Sequence, residues 1–204
     1  IIERAKSLMK DPEIIKSTTA IEVPNSIEHL YFLTERRDKI EVLRKLVRIL
    51  EPKKAIAFFS NADDIIEATE KLKFHKLSAD GLHGINRKSD RKKTMDDFKT
   101  GKLQILIASD IAARGLDIEG VTHIFNVNIP ERSMDYLHRV GRTGRNGSKG
   151  MAISIVTEKE IPLIKQFEKE LGISIIPKSM YKGAIVEYRK KKFNSRPCSR
   201  YGKG

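Results

Sequence analysis

Residues 136–147 read Tyr-Leu-His-Arg-Val-Gly-Arg-Thr-Gly-Arg-Asn-Gly, with His138, Arg139, Arg142 and Arg145 interleaved among three glycines. Glycine weakens a helix, and clustered cations repel one another unless an anion lies among them. A segment meant only for packing would not have this composition. Arginine makes planar, forked contacts to phosphate, and glycine lets another group approach the backbone closely. The chemistry these residue types suit is polyphosphate binding. A second cluster, Ser109-Asp110-Ile111-Ala112-Ala113-Arg114-Gly115-Leu116-Asp117, follows an apolar run at 103–108. A hydroxyl, charges and a glycine at a strand end suit phosphate or sugar contacts; the bland alternative is a structural pair between Arg114 and an aspartate.

The elements that must position these residues follow from hydrophobic periodicity. Residues 29–34 are strand-like, and Ile40, Leu43, Leu46, Val47 and Leu50 fall on one face of a helix over 38–50 that Pro52 stops. Residues 54–59 are a short apolar run, and Ser60-Asn61 caps the helix that follows. A strand at 76–79 and a charged helix over 87–99, with Met95 and Phe98 inward and Gly101 closing it, come next. Residues 103–108 read as a strand buried on both faces, 109–117 as a loop with a helical turn, and 121–127 as another strand. The cationic segment, a strand at 151–156 and a last helix complete the series. Thr157 and Glu160 form a capping box for that helix, Gly172 ends it, and 173–176 adds a strand. Strands alternating with helices imply an α/β fold: a parallel sheet with helices on both faces. Ligands of such sheets sit at the carboxyl ends of the strands, where the loops after Phe59, Ala108 and Val127 fall.

The formal net charge is +13 over 204 residues. From residue 178 onward nine Lys or Arg face one acid, Glu187, so this end alone contributes +8 (nine minus one). Such a tail steers a protein to nucleic acid through counterion release, or simply solubilises a disordered end. No apolar run approaches the ~18 residues of a membrane span. The single cysteine, Cys198, rules out a disulfide framework or a cysteine zinc site. A soluble, cytoplasmic setting without membrane partners is expected.

Taken together, the motifs resemble the DEAD-box family of ATP-dependent RNA helicases, specifically its C-terminal RecA-like domain over 25–176. Ala57-Phe58-Phe59-Ser60-Asn61 looks like motif IV, and His83-Gly84 opens the Q-x-x-R segment. Residues 109–117 match motif V, and 138–145, H-R-V-G-R-T-G-R, match motif VI. Residues 1–24 are expected to be an interdomain linker at the end of an absent N-terminal domain, and 177–204 a basic, flexible extension. The chain is thus expected to start in mid-protein.

The resemblance implies that two RecA-like domains close over ATP and over a bent RNA strand. Arg142 and Arg145 match arginines that reach the γ-phosphate, and His138 matches a residue bridging to the other domain. Asp117 looks like the carboxylate that contacts the ribose, with Gly115 permitting the approach. Ser60, Asn61, Arg91 and Ser109 match positions that contact the RNA sugar-phosphate backbone, and Arg189, Lys190, Lys191 and Lys192 would tether RNA from the tail. Arg139 reads as a structural, intramolecular pair, and His83 as a turn cap as readily as a ligand contact. The implied cofactor is ATP with magnesium, both held mainly by the N-terminal RecA-like domain; the implied partners are that domain and RNA, with the chain itself monomeric.

There are departures. Lys88 stands where the family usually has Gln and cannot copy an amide's donor–acceptor pairing, while Ser109 replaces Thr and keeps the hydroxyl. No G-x-x-x-x-G-K-[ST] phosphate loop, D-E-A-D or S-A-T segment occurs. The chain alone is therefore expected neither to hydrolyse ATP nor to unwind RNA. Two other readings stand beside this one: an RNA-binding module acting by itself through its basic tail, and a DNA-directed helicase of the same superfamily.

Overall fold

A computed structural model describes Pro24 and residues 26–83, 88–113 and 118–188. Eight strands form one sheet: β1 (Ile27–Leu33), β2 (Ala55–Phe58), β3 (Ala79–Leu82), β4 (Ile105–Ala108), β5 (His123–Asn126), β6 (Gly150–Val156), β7 (Ile176–Tyr181) and β8 (Ala184–Glu187). Their order is β3-β4-β2-β5-β6-β1-β7-β8. Every pairing is parallel except β7 with β8. The helices are α1 (Lys39–Leu50), α2 (Ala62–Phe74), α3 (Lys88–Thr100), α4 (Asp110–Ala113), α5 (Ser133–Val140) and α6 (Ile161–Leu171).

The two-residue period of a strand sends alternate side chains to opposite faces, and the core divides accordingly. Ala55 and Ala57 pack with Leu43, Leu46 and Val47 of α1 and Ile65, Ala68 and Leu72 of α2. Ile56 and Phe58 face the other way, onto Met95 and Phe98 of α3 and Ala112 and Ala113 of α4. Farther along that second face, Tyr136 and Val140 of α5 meet Ile164 and Phe167 of α6 over β1 and β6. Strands covered on both sides read as continuous apolar runs, which is why Ile105-Leu106-Ile107-Ala108 is buried throughout.

Most local signals hold. Asn61 Oδ1 accepts the Asp64 amide as the N-cap of α2, the Thr157–Glu160 capping box is present, and Gly101 and Gly172 close their helices with positive φ. The strand expected at 76–79 lies slightly later, at Ala79–Leu82. The strand expected at 173–176 begins where it was expected to end and runs over Ile176–Tyr181. The sheet continues through β7 and β8, because Lys182 (φ 48) and Gly183 (φ 78) provide the two left-handed positions of a tight hairpin. Residues 1–23 of the expected linker lie outside the described residues. Among the described residues no helix is long and apolar enough to cross a membrane.

The strand order places the site. From β2 the chain runs out to β3 and β4 on one side, then returns to β5 and β6 on the other. That reversal is a topological switch point, and the crevice it leaves lies beyond the carboxyl ends of β2, β4 and β5. Register aligns those ends: Phe58 stands beside both Ala108 and Asn126.

Candidate active site and nucleic-acid interface

Helix α5 delivers the cationic segment to this crevice with two faces. Tyr136, Arg139 and Val140 point inward, whereas His138 is exposed and Arg142, four residues on, is partly exposed. The turn after the helix is held from within. Buried Thr143 donates its hydroxyl to the Val121 carbonyl at 2.6 Å. Gly144 takes φ +68 where an added Cβ would lie 2.6 Å from Ile27 Cγ1. The three-residue 3-10 turn Arg145–Gly147 follows, and Arg145 Nε donates to the Gly141 carbonyl at 3.3 Å. The glycines therefore shape the turn that carries Arg142 and Arg145.

Arg139 is the hinge of the arrangement. It is 3% exposed, yet its guanidinium is satisfied: Nε and Nη2 donate to the two oxygens of Asp110, each at 2.6 Å. Nη1 donates to the Asn128 carbonyl at 2.7 Å and to Asn126 Oδ1 at 3.2 Å. The guanidinium carbon lies 5.0 Å from the Phe58 ring centroid. This forked, stacked geometry is particular to arginine. The structural pair expected for Arg139 is thus present, and its partner is Asp110, the first of the two aspartates in the 109–117 cluster.

Two clefts open on either side of that pair. One, of about 200 Å³, is lined by Phe58, Ala113, Asp135, His138 and Arg142 together with Asp110 and Arg139. The other, of about 400 Å³, includes Ser60, Ser109, Ile111, Pro130 and Arg132 and shares Asp110, Asp135 and Arg139 with the first. Asp135 sits below the ordinary aspartate range because Arg132 hydrogen-bonds it. The lining sets Arg142 and the exposed imidazole of His138 beside the Asp110–Arg139 pair and Asp135; Arg142 is the guanidinium placed to meet the phosphate end of a nucleotide, of which 200 Å³ accommodates only part.

The remaining expected residues fall as follows. Ser109 is partly buried, and its Oγ accepts the Ala112 amide at 3.3 Å, capping α4. The exposed Ser60 amide donates to Asn128 Oδ1 at 3.1 Å. Asn61 is engaged with Asp64 through both amide atoms, a capping role. Arg91, on α3, donates to the Ala112 carbonyl at 3.1 Å, which ties it to the same short helix as Ser109. Ser60 and Asn61 also line a larger cleft of about 880 Å³ with Thr34, Arg36, Lys39 and Glu160. Arg145 is not among the residues lining these clefts. Gly115 and Asp117 lie outside the described residues, as do Arg189, Lys190, Lys191 and Lys192.

Sequence reasoning missed Phe58, Asn126 and Asn128 as the platform under Arg139, and it missed Lys39 altogether. A signal for Lys39 existed: it stands four residues before Leu43 on the buried stripe of α1, where a cation needs a partner.

The sheet order and the arginine-bearing helix and turn at its switch point define a helicase-type RecA-like domain. Residues 38–147 match the family model for the helicase conserved C-terminal domain. The chain is 41% identical over 189 residues to the DEAD-box ATP-dependent RNA helicase CshC of Bacillus cereus, covering 93% of this chain and 48% of that protein. It is 38% identical over 166 residues to the DEAD-box ATP-dependent RNA helicase CshA of Geobacillus kaustophilus, covering 81% of this chain and 35% of CshA. Among solved structures it resembles Saccharomyces cerevisiae Dbp5 bound to RNA and ADP BeF3, with TM-score 0.76 and 28% identity over 86% of this chain and 48% of that one. It also resembles the Escherichia coli DEAD-box protein SrmB bound to RraA, with TM-score 0.71 and 29% identity over 76% of this chain and 91% of that one. The chain belongs to the DEAD-box helicase family, as its C-terminal domain. It spans about half the length of CshC.

Proposed function

We propose that this chain is the C-terminal half of an ATP-dependent RNA helicase that couples ATP hydrolysis to local unwinding of RNA duplexes. The observation that carries the reading is the pair of clefts sharing Asp110, Asp135 and Arg139, with His138 and Arg142 on one side and Ser60 and Ser109 on the other. The first suits a phosphate end; the second suits a sugar-phosphate backbone, which makes recognition insensitive to base sequence. ATP and magnesium would be held mainly by an N-terminal RecA-like domain, and ATP supplies the phosphoryl group to be transferred. Arg142 and Arg145 would place positive charge where negative charge develops, and His138 would bridge toward the other domain. Asp117 and Gly115 would contact the ribose. Arg91 and Asn61 would shape the RNA side, and Arg189 to Lys192 would tether RNA outside the core. Residues 1–24 would link the two domains. This chain alone would be inactive, because it contains neither a phosphate loop nor a D-E-A-D segment.

The test is RNA-stimulated ATP turnover by the full-length protein. Arg142→Ala and Arg145→Ala should each lower kcat by roughly 10³-fold, with RNA binding retained. Wild-type turnover in both variants would refute the reading, as would RNA-stimulated turnover by this chain alone. Stronger stimulation by single-stranded DNA than by RNA would reassign the substrate.

A further inference from the structure

Among the described residues two cations are deeply buried, Arg139 at 3% and Lys39 at 5% exposure. They lie on opposite faces of the sheet and grip consecutive carbonyls. Lys39 Nζ donates to Val127 O at 3.0 Å, and Arg139 Nη1 donates to Asn128 O at 2.7 Å. Each has its own carboxylate. Asp110 holds Arg139, while both oxygens of Glu160 accept from Lys39 Nζ at 3.0 and 2.9 Å. The three ammonium protons of Lys39 thus match three acceptors.

Glu160 is itself fixed. Its Oε2 accepts the Thr157 amide at 2.7 Å and the Thr157 hydroxyl at 2.9 Å, closing the capping box between β6 and α6. Burial opposes its charged form, but the hydrogen bonds from Lys39 and Thr157 outweigh that and hold its carboxyl below the ordinary range. The clamped dipeptide in turn sets the two clefts. Asn128 Oδ1 orients the Ser60 amide, and the Asn128 carbonyl completes the seat of Arg139. Val127 N and Asn128 N both donate to Phe58 O, so the dipeptide is anchored to β2; the Val127 carbonyl shares a planar peptide unit with the Asn128 N–H, and Lys39 holds that unit from its opposite edge.

We infer that Lys39 and Glu160 are positioning residues: they fix the Val127 carbonyl, and with it the peptide plane that leads into Asn128, and thereby hold Ser60 and Arg139 in the register at which the RNA-side and phosphate-side clefts meet. The inference rests on the proposed function for what the clefts bind, but its geometric part does not. Lys39 and Glu160 act on Asn128 through the Val127 carbonyl, and with Ser60 and Asn61 they line the larger cleft beside it.

Removing one partner would leave a buried charge uncompensated and could simply unfold the domain. The informative variant is therefore Lys39→Met combined with Glu160→Gln in the full-length protein, which removes both charges at similar volume and leaves a side-chain oxygen to accept from Thr157. Thermal stability should stay within a few degrees of wild type. The RNA concentration giving half-maximal ATP turnover should rise about tenfold, as expected when an interaction made on binding is misplaced, with kcat much less affected. Hydrogen exchange of the segment containing Ser60 should quicken about tenfold for loss of one ordered bond, while the amides of β4 keep wild-type protection. A stable double variant with unchanged RNA dependence and unchanged exchange at Ser60 would overturn the inference. So would failure of the double variant to fold, since the pair would then be needed for the fold itself. Absence of RNA-stimulated turnover in the wild type would sink the functional reading instead, leaving the exchange measurement to decide the positioning role.

Discussion

Asp110→Ala should destabilise this chain by about 2–3 kcal/mol, a figure that follows from how the Arg139 pair is built. In the wild type the carboxylate accepts two charge-assisted bonds at 2.6 Å from a guanidinium whose side chain is 3% exposed. Breaking a fully buried pair costs about 3–5 kcal/mol, because the surviving charge is left without compensation. Asp110, however, is 49% exposed, so water reaches its side of the pair and part of that cost is screened. Arg139 also keeps Asn128 O, Asn126 Oδ1 and the Phe58 ring. These corrections bring the expectation to the lower value. Asp110→Asn, which keeps one acceptor but turns a donor toward the guanidinium, should lie roughly halfway. Urea titration followed by far-UV circular dichroism reads the difference as a shifted midpoint at constant slope. In a thermal scan the loss is about 5–10 °C at about 2–4 °C per kcal/mol for a chain of this size. A loss below about 0.5 kcal/mol, the range of an exposed surface pair, would refute the claim that this pair seats Arg139.

Two further outcomes test the frame around the site. Gly144→Ala combines a left-handed φ of +68 with a Cβ 2.6 Å from Ile27 Cγ1, and should cost about 2 kcal/mol or more; adding Ile27→Ala should relieve the clash but not the backbone strain, and full recovery in thermal melts would show that φ is unimportant. Burial lowers the His29 pKa from 6.5 to about 4, its Nδ1 bonds Tyr136 Oη at 2.8 Å, and its Nε2 has no hydrogen-bond partner among the described residues. Folding therefore excludes a proton that the unfolded chain binds between those two pH values. The His29 contribution is full above pH 6.5 and is lost as pH falls toward 4, at up to about 1.4 kcal/mol per pH unit. The stability of His29→Gln should fall less steeply over that window, and an identical pH slope would show that His29 is not the group responsible.

The parts of the fold set by period and punctuation were legible. Alternating apolar runs and helical stripes place the strands and helices up to Gly172, and Asn61, Thr157 and Gly101 mark helix ends by local chemistry alone. The β7–β8 hairpin was not, because its residues are only partly buried and the signal reduces to Lys182-Gly183 at the turn. At the site, H-R-V-G-R-T-G-R marks the helix and turn that line the first cleft, and Arg139 reads correctly as an internal pair. Its partner could not be deduced, since Asp110 is 29 residues away in sequence and meets it only through the strand order. Lys39 and Glu160 are farther apart still, 121 residues, and each has a sufficient local explanation, as a helix's first residue and as half of a capping box.

The same strand order gives the two clefts a common wall of Asp110, Asp135 and Arg139. Side chains from β2, β4 and β5 converge because the chain reverses direction there, and the single Arg139 guanidinium is bonded to the loop after β4 through Asp110 and to the loop after β5 through Asn128. A guanidinium is planar, so its acceptors must lie near one plane for all of these bonds to persist. Displacing the loop that carries Ser109 and Asp110 therefore tilts Arg139 against Asn128, which bears on the Ser60 amide; displacing Ser60 acts through the same atoms in reverse. A ligand that draws Ser60 and Ser109 together would do so at the expense of one specific geometry around Arg139, whose neighbours in α5 are His138 and Arg142. Rigid coupling of this kind requires only shared hydrogen bonds and a stiff helix, and it makes the Asp110–Arg139 pair the place where a substitution should disturb both clefts at once.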